Sequence, residues 1–375
     1  MNNTLLQRLK HHISNRHADG LYRQRQALTD CEAFINFSSN DYLSLTSDSR
    51  LKKAYQTGYT HYPVGSGGSP LVSGYHPVHR QLENAFAEAL GVDDAVFVSS
   101  GYAANLSLMA LFSKLDALLL MDKAVHASIY DGLTSSGVRF KRYRHCDVEH
   151  LKQQVESSDS VVVLTESVFS MSGQQAPLQD IANIARQHEW DLCVDEAHAF
   201  GVIGEEGLGL VKASGLTQEQ VPLRVIPLGK AFAGSGAIIA GQKDWLDALL
   251  QCAKPYIYST APSPALAYGL LQTLDVIRAA DERRTVLCEL IGYFRAAIAS
   301  SGLTWRDSTT AIQQLQLGCP LKAQAFSEHL FKNGIMCWPM RAPTVTRQET
   351  GLRVILNYHH QPSDIDYFFR CLDEI

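Results

Sequence analysis

From residue 95 onward the chain repeats one pattern: a short apolar strand, a turn rich in small residues, then a helix. Few folds accommodate that pattern. Ala95 to Ser99 reads as a strand, and Gly101 opens a helix through Ala110. Val161 to Thr165 is an unbroken aliphatic and β-branched run, the mark of a strand buried on both faces. Leu178 to His188 reads as a helix, Leu192 to Asp195 as a strand, and Arg224 to Leu228 and Ala237 to Ala240 as two more. Strands alternating with helices imply an α/β fold with a mostly parallel sheet flanked by helices.

Outside this region the rhythm differs. Residues 1–26 read as a helix laid across the body, with Leu5, Leu9 and Ile13 on one face and Arg8, Lys10 and Arg16 on the other. Residues 34–46 hold a short strand and a turn. The glycine cluster Gly65-Ser66-Gly67-Gly68-Ser69 fails the dinucleotide fingerprint because Pro70 stands where its last glycine belongs. A helix follows, with Val78, Leu82, Ala85, Phe86 and Ala89 on one side and Gly91 as its stop. From Ala265 come two long helices, Ala265 to Ala280 and Arg283 to Ser300. Strands near Ile312 to Leu317 and Arg353 to Asn357 follow, with a helix at Leu321 to Asn333, the pattern of a smaller α+β domain. The expected division is an N-terminal segment (1–45), a large α/β domain (46–264) and a small C-terminal domain (265–375).

Composition narrows the functional classes. The 375 residues are 46% hydrophobic and 19% charged, an ordinary globular mix. A net charge of −5 argues against a nucleic-acid binder. No apolar run approaches the ~20 residues of a membrane span. The eight cysteines are scattered, without a CxxC pair, which favours free thiols in a reducing compartment over disulfides or a zinc site. The N-terminus lacks a signal-peptide core, and its five basic residues against one acid up to Gln26 make a transit peptide only the lesser reading. The expectation is a cytoplasmic protein with no bound metal.

Ligands bind where parallel strands end at their carboxyl edge. Three such edges carry unusual residues: Ser99-Ser100-Gly101-Tyr102, Asp195-Glu196-Ala197-His198 and Gly229-Lys230. Each has a plain structural alternative: a turn, a helix cap and a solvated lysine. Asp195 to His198 also spells a helicase box, but no phosphate loop GxxxxGK[ST] accompanies it. Neither a GxSxG elbow nor an HExxH helix is present. A lysine at a strand edge, an acid ending a neighbouring strand and a helix start suited to phosphate together suggest pyridoxal 5′-phosphate (PLP).

The stretches NFSSNDYLSL (36–45), GSGGSPLVSGYHPVHRQLE (65–83), VSSGYAANLSL (98–108), HASIYDG (126–132), ESVFSMSGQQAPL (166–178), VDEAHAFGVIGEEGLG (194–209), LGKAF (228–232), YSTAPSP (258–264) and RAPTVT (341–346) stand in one order along the chain. In that order and spacing the chain resembles the α-oxoamine synthases, fold-type I PLP enzymes that join an amino acid to an acyl thioester. RAPTVT and the compact ends point to the member that condenses L-alanine with a pimeloyl thioester, carried by CoA or by acyl-carrier protein.

The resemblance implies a role for each matched residue. Lys230 matches the Schiff-base lysine, Asp195 the partner of the pyridine nitrogen, and His198 the residue bonding the ring oxygen. His126 matches the histidine stacked on the ring. Gly101 and Tyr102 match phosphate and ring contacts, Ser170 a cofactor-binding serine, and Thr260 a phosphate contact from the other subunit of a homodimer. Arg353 matches the arginine gripping the amino-acid carboxylate, a task suited to a guanidinium fork. Arg23, with Arg25 close by, and Thr344 match contacts near the acyl chain. The sequence departs from the pattern at Pro227, where a threonine or serine commonly sits. The basic run Arg139 to Arg144 is a further candidate contact, for a nucleotide or a carrier protein, although charge runs are usually solvated faces. A sibling enzyme using glycine, serine or another acyl group remains the alternative, and a non-catalytic homologue a lesser one.

Overall fold

The aliphatic runs of the sequence become strands stacked side by side. The computed structural model describes residues 4–25, 27, 34–154, 160–342 and 344–375. Among them the strands are, in chain order, β1 (Ile35–Asn36), β2 (Asp94–Val98), β3 (Leu118–Asp122), β4 (Arg139–Tyr143), β5 (Val161–Glu166), β6 (Asp191–Asp195), β7 (Leu223–Pro227), β8 (Ala237–Gly241), β9 (Ile312–Gln316), β10 (Ile335–Met336), β11 (Pro339–Met340) and β12 (Gly351–Ile355). The chain divides into two units. One holds Asn40–Ser170 and Gln175–Val286; the other holds Met1–Ser39, Met171–Gln174 and Leu287–Ile375.

The first unit is built on a seven-stranded sheet in the order β2-β8-β7-β6-β5-β3-β4. β3, β4, β5, β6 and β7 pair in parallel; β8 runs antiparallel to both of its neighbours. The stretch from Leu228 to Gly236 that joins β7 to β8 is too short for the crossover a parallel return needs. β3 and β5 are buried along their whole length, as doubly covered strands must be. Side chains such as Leu108, Phe112, Ile129, Val163 and Ile181 fill the space between sheet and helices. The glycine stop of the Pro77–Leu90 helix is confirmed: Gly91 sits at φ +68°, the left-handed cap.

The basic run Arg139–Arg144 lies at the border of the sheet. Most of it is β4, the edge strand of the sheet, with Arg139, Phe140 and Arg142 exposed. Arg139 pairs with Asp116 and Arg144 with Asp147, so these two charges are satisfied locally. Cationic side chains on an edge strand discourage pairing with other chains.

The second unit carries the antiparallel sheet β11-β12-β9 and the parallel pair β1-β10. Phe37, just past β1, stacks on buried His360 with ring centroids 4.2 Å apart. The N-terminal helix is shorter than expected, Leu5–Ala18, and buries none of its residues. Leu5, Leu9 and Ile13 do share a stripe, yet all three are exposed. A Thr4–Gln7 capping box starts this helix, and Gly20 at φ +66° follows its end. The expected boundary at 265 also differs from the observed division after Val286. The Pro264–Arg278 helix packs on the Ser49–His61 and Pro77–Leu90 helices of the first unit, which holds it there. No described helix is long and apolar enough to cross a membrane.

Candidate active site

β5 and β6 end in carboxylic acids, and their register sets Glu166 directly opposite Asp195. β7 ends at Pro227, and a tight turn then presents Lys230. Gly234 N–H donates to the Leu228 carbonyl and Ala233 N–H to that of Lys230. The two acids and the lysine therefore meet at one sheet edge because three neighbouring strands stop there.

Asp195 is 6% exposed and both its oxygens are engaged. Oδ1 accepts from Ala197 N–H (2.9 Å) and Oδ2 from the Asn105 amide (3.1 Å). The same amide nitrogen donates to Ser128 Oγ, which lies 2.8 Å from His126 Nδ1. Ser128 N–H also donates to that Nδ1, which caps the Ala127–Ser136 helix. With Nδ1 accepting, the proton of the neutral imidazole sits on Nε2. Burial holds His126 below its ordinary pKa; the Lys230 charge adds to this and Asp195 opposes it. A chain of side chains thus ties ring orientation to the carboxylate.

The Gly101–Lys114 helix starts beside this group. Ser100 caps it by accepting from Ala103 N–H, which leaves the first-turn N–H groups of Gly101 and Tyr102 without an intrahelical partner. Such a start attracts anions. Gly101 is required by packing: a Cβ there would lie 2.7 Å from Pro227 Cγ. The Tyr102 ring is half exposed, and its hydroxyl donates to Asp131. His198 is buried, with Nδ1 2.6 Å from the Tyr42 hydroxyl. Ser170 is buried and its N–H donates to Glu166 Oε2 at 3.2 Å. Thr260 is exposed ahead of the Pro264–Arg278 helix.

The remaining matched residues lie in the second unit. Arg23 Nη2 donates to Thr344 Oγ1 (3.2 Å), which brings two predicted residues together from opposite ends of the chain. Arg25 makes no side-chain hydrogen bond or ion pair among the described residues. Arg23 also lines a cleft of about 200 Å³ with Arg16, Leu21, Tyr22 and Ala342. Arg353 is half-buried on β12, opposite Gln314 of β9.

Four residues of the arrangement carry no role in the sequence reading: Asn105, Ser128, Tyr42 and Glu166. Two had a signal. Asn105 falls one helical turn after Gly101, and Glu166 closes a buried run as Asp195 does. A separate group, Asp122, His145 and Cys146, brings its ligand-type atoms within 4.8 Å of one another. Asp122 already accepts from Ala124 N–H, Cys146 N–H and His145 Nδ1, so its own hydrogen bonds close this cluster.

The chain is similar to known proteins over nearly its whole length. The model of the family described as aminotransferase class I and II matches residues 32–372. A curated 8-amino-7-oxononanoate synthase of Alkalilimnicola ehrlichii is 38% identical, covering 97% of this chain and 96% of its own. The crystal structure of an 8-amino-7-oxononanoate synthase from Francisella tularensis superposes with a TM-score of 0.82 at 31% identity, over 92% of this chain and 98% of that one. A serine palmitoyltransferase from S. paucimobilis with bound PLP–myriocin aldimine shares the fold, at a TM-score of 0.90 and 22% identity over 99% and 98% of the two chains. The chain therefore belongs to the class I and II aminotransferase family, among its 8-amino-7-oxononanoate synthases.

Proposed function

We propose that this protein is a PLP-dependent acyltransferase that condenses L-alanine with a pimeloyl thioester, of CoA or acyl-carrier protein, to give 8-amino-7-oxononanoate, carbon dioxide and free thiol in biotin biosynthesis. The observation that carries the reading is the convergence of Asp195, His126 and Lys230 at one sheet edge beside a helix start whose Gly101 and Tyr102 N–H groups lack an intrahelical partner. That donor set fits PLP. A carboxylate suits a cationic ring nitrogen, an amine suits an aldehyde, and the Gly101 and Tyr102 N–H groups suit a phosphate.

In this reading Asp195, His198, Tyr102, Ser170 and Gly101 hold the cofactor, with Thr260 contributed by the second subunit of a cytoplasmic homodimer. Bound PLP supplies an electron sink for the pair left when alanine loses its α-proton. Lys230 anchors the cofactor and, once released, takes that proton. His126 keeps its own proton on Nε2, free to donate to oxygen as negative charge develops during acyl transfer. Arg353 grips the alanine carboxylate before it departs as carbon dioxide, while Arg23 and Thr344 bind near the acyl chain. The α-carbon gains the acyl group as the thiol leaves with a proton, and once carbon dioxide has departed the α-carbon takes a proton in its place.

Thiol release measured over a small matrix of amino acids and acyl thioesters tests this. Alanine with a pimeloyl thioester is expected to give the fastest turnover. A preference for glycine or serine, or for another acyl group, would move the protein to a sibling activity.

A further inference from the structure

We propose that Glu166 is a positioning residue of this site: a carboxylic acid kept protonated by its register beside Asp195, so that Asp195 alone is negative there. The inference rests on the proposed function for the identity of the ligand, but not for the state of Glu166.

Paired residues on parallel strands stand about 4.8 Å apart and point to the same face of the sheet. Glu166 and Asp195 are such a pair, and they are 2% and 6% exposed. Two carboxylates in one buried site cannot both ionise cheaply, so the less well-served one takes the proton. Asp195 has a donor on each oxygen. Glu166 has the Ser170 N–H on Oε2, and its Oε1 is buried without a well-formed hydrogen bond. Asp195 faces it from β6, Lys230 from the turn after β7 and His126 from the start of the Ala127–Ser136 helix. Burial, then the Asp195 charge, push Glu166 up to about 8; Lys230 and the N–H groups of Ser170 and His126 pull the other way. When the Lys230 amine loses its charge, one of these opposing pulls goes, and Glu166 holds its proton more firmly. Asp195 then faces the ring nitrogen with an unchanged charge throughout turnover.

Infrared difference spectra of the apo-protein, wild type minus Glu166→Gln, test this directly. A carboxylic-acid carbonyl band is expected at pH 6, titrating away with a midpoint near 8. In an Asp195→Asn background that midpoint should fall by about one unit or more, because the like charge is gone. PLP titrations complete the test. Glu166→Gln mimics the neutral acid and should lose any inflection of PLP binding near pH 8. Absence of the acid band at pH 6, or a midpoint indifferent to Asp195→Asn, would overturn the proposal. If Glu166→Gln fails to fold, the acid band of the wild type that shifts in Asp195→Asn decides the first point, because the other buried acid, Glu83, does not feel Asp195. Failure of the wild-type apo-protein to bind PLP would instead overturn the proposed function, whatever the band shows.

Discussion

Asp195 and Glu196 are adjacent in the chain, and the regions around them are built on opposite principles. Asp195 meets neutral donors, the Asn105 amide and a backbone N–H, and stands near Glu166 and Lys230. Glu196 is fully buried and saturated: Arg224 Nη2 (2.8 Å), Leu210 N–H (2.9 Å) and Val211 N–H (3.0 Å) all donate to it. The Arg224 guanidinium also donates to the Leu208 carbonyl. Gly209, at φ +92°, admits this approach, since a Cβ there would lie 2.6 Å from the Glu196 carboxylate. Successive residues of a strand point to opposite faces, so one acid reaches the ligand edge and the other a closed interior. A carboxylate matched by a full counter-charge is architecture. Asp195, given only neutral donors and standing at the ligand edge, keeps its field for a ligand.

Four experiments press on that contrast. The largest effect is expected on the Asp195 side. Lys230→Ala should abolish turnover while the melting temperature stays within about 2 °C, as for a half-buried side chain outside the core. Borohydride reduction with PLP and peptide mapping checks the assignment; label on another lysine breaks it.

On the Glu196 side the loss should appear in stability instead. Arg224→Ala leaves a buried charge unpaired, at a cost of about 3–5 kcal/mol in urea unfolding, with kcat of the folded fraction unchanged. A variant of normal stability but impaired turnover would dissolve the distinction between the two regions.

A third buried acid sharpens the rule. Glu83 is 3% exposed and has the Tyr75 hydroxyl and Phe97 N–H as donors, with the Arg80 charge only a lesser pull. Burial raises it from 4.5 to about 7 against those donors. The folded protein therefore binds this proton more tightly than the unfolded chain between those values, so stability falls as pH rises through that window. The loss should be about 3 kcal/mol, with Glu166 adding in the same direction up to about pH 8. Glu83→Gln should flatten the slope between pH 4.5 and 7; an unchanged slope would assign it to other groups.

The smallest effect concerns Pro227. Its ring packs on Gly101 at the helix start and offers neither a hydroxyl nor an N–H. Pro227→Thr should bind PLP more tightly, by up to about tenfold, in apo-protein titrations at one pH and salt concentration. Equal or weaker binding would show that the first-turn N–H groups already saturate the phosphate.

Much of the sheet was legible because buried strands are written as unbroken apolar runs, as in Val161–Thr165. β4 was not, since an edge strand with exposed Arg139 and Arg142 carries no hydrophobic signature. The exposed stripe of Leu5, Leu9 and Ile13 shows the reverse: periodicity reports a helix but not whether anything covers it. Lys230, Asp195 and His126 were legible as motif residues. Asn105 and Ser128, which link His126 to Asp195, were hidden because their roles depend on partners elsewhere in the chain.

By itself the amino-acid sequence determined the family, the strand-and-helix alternation and the identity of the chemical groups. These depend on local propensity and on residue order, and both survive in one dimension. Tertiary structure decided which acids serve as scaffold and which face the site. It placed the proton of His126 on Nε2, set Glu166 against Asp195 and closed Gly101 onto Pro227. Burial, a helix cap and strand register set these, and the contacts join residues up to 126 positions apart, from Gly101 to Pro227. Desolvation and hydrogen-bond geometry act on distance in space, and the chain supplies that distance only once it has folded.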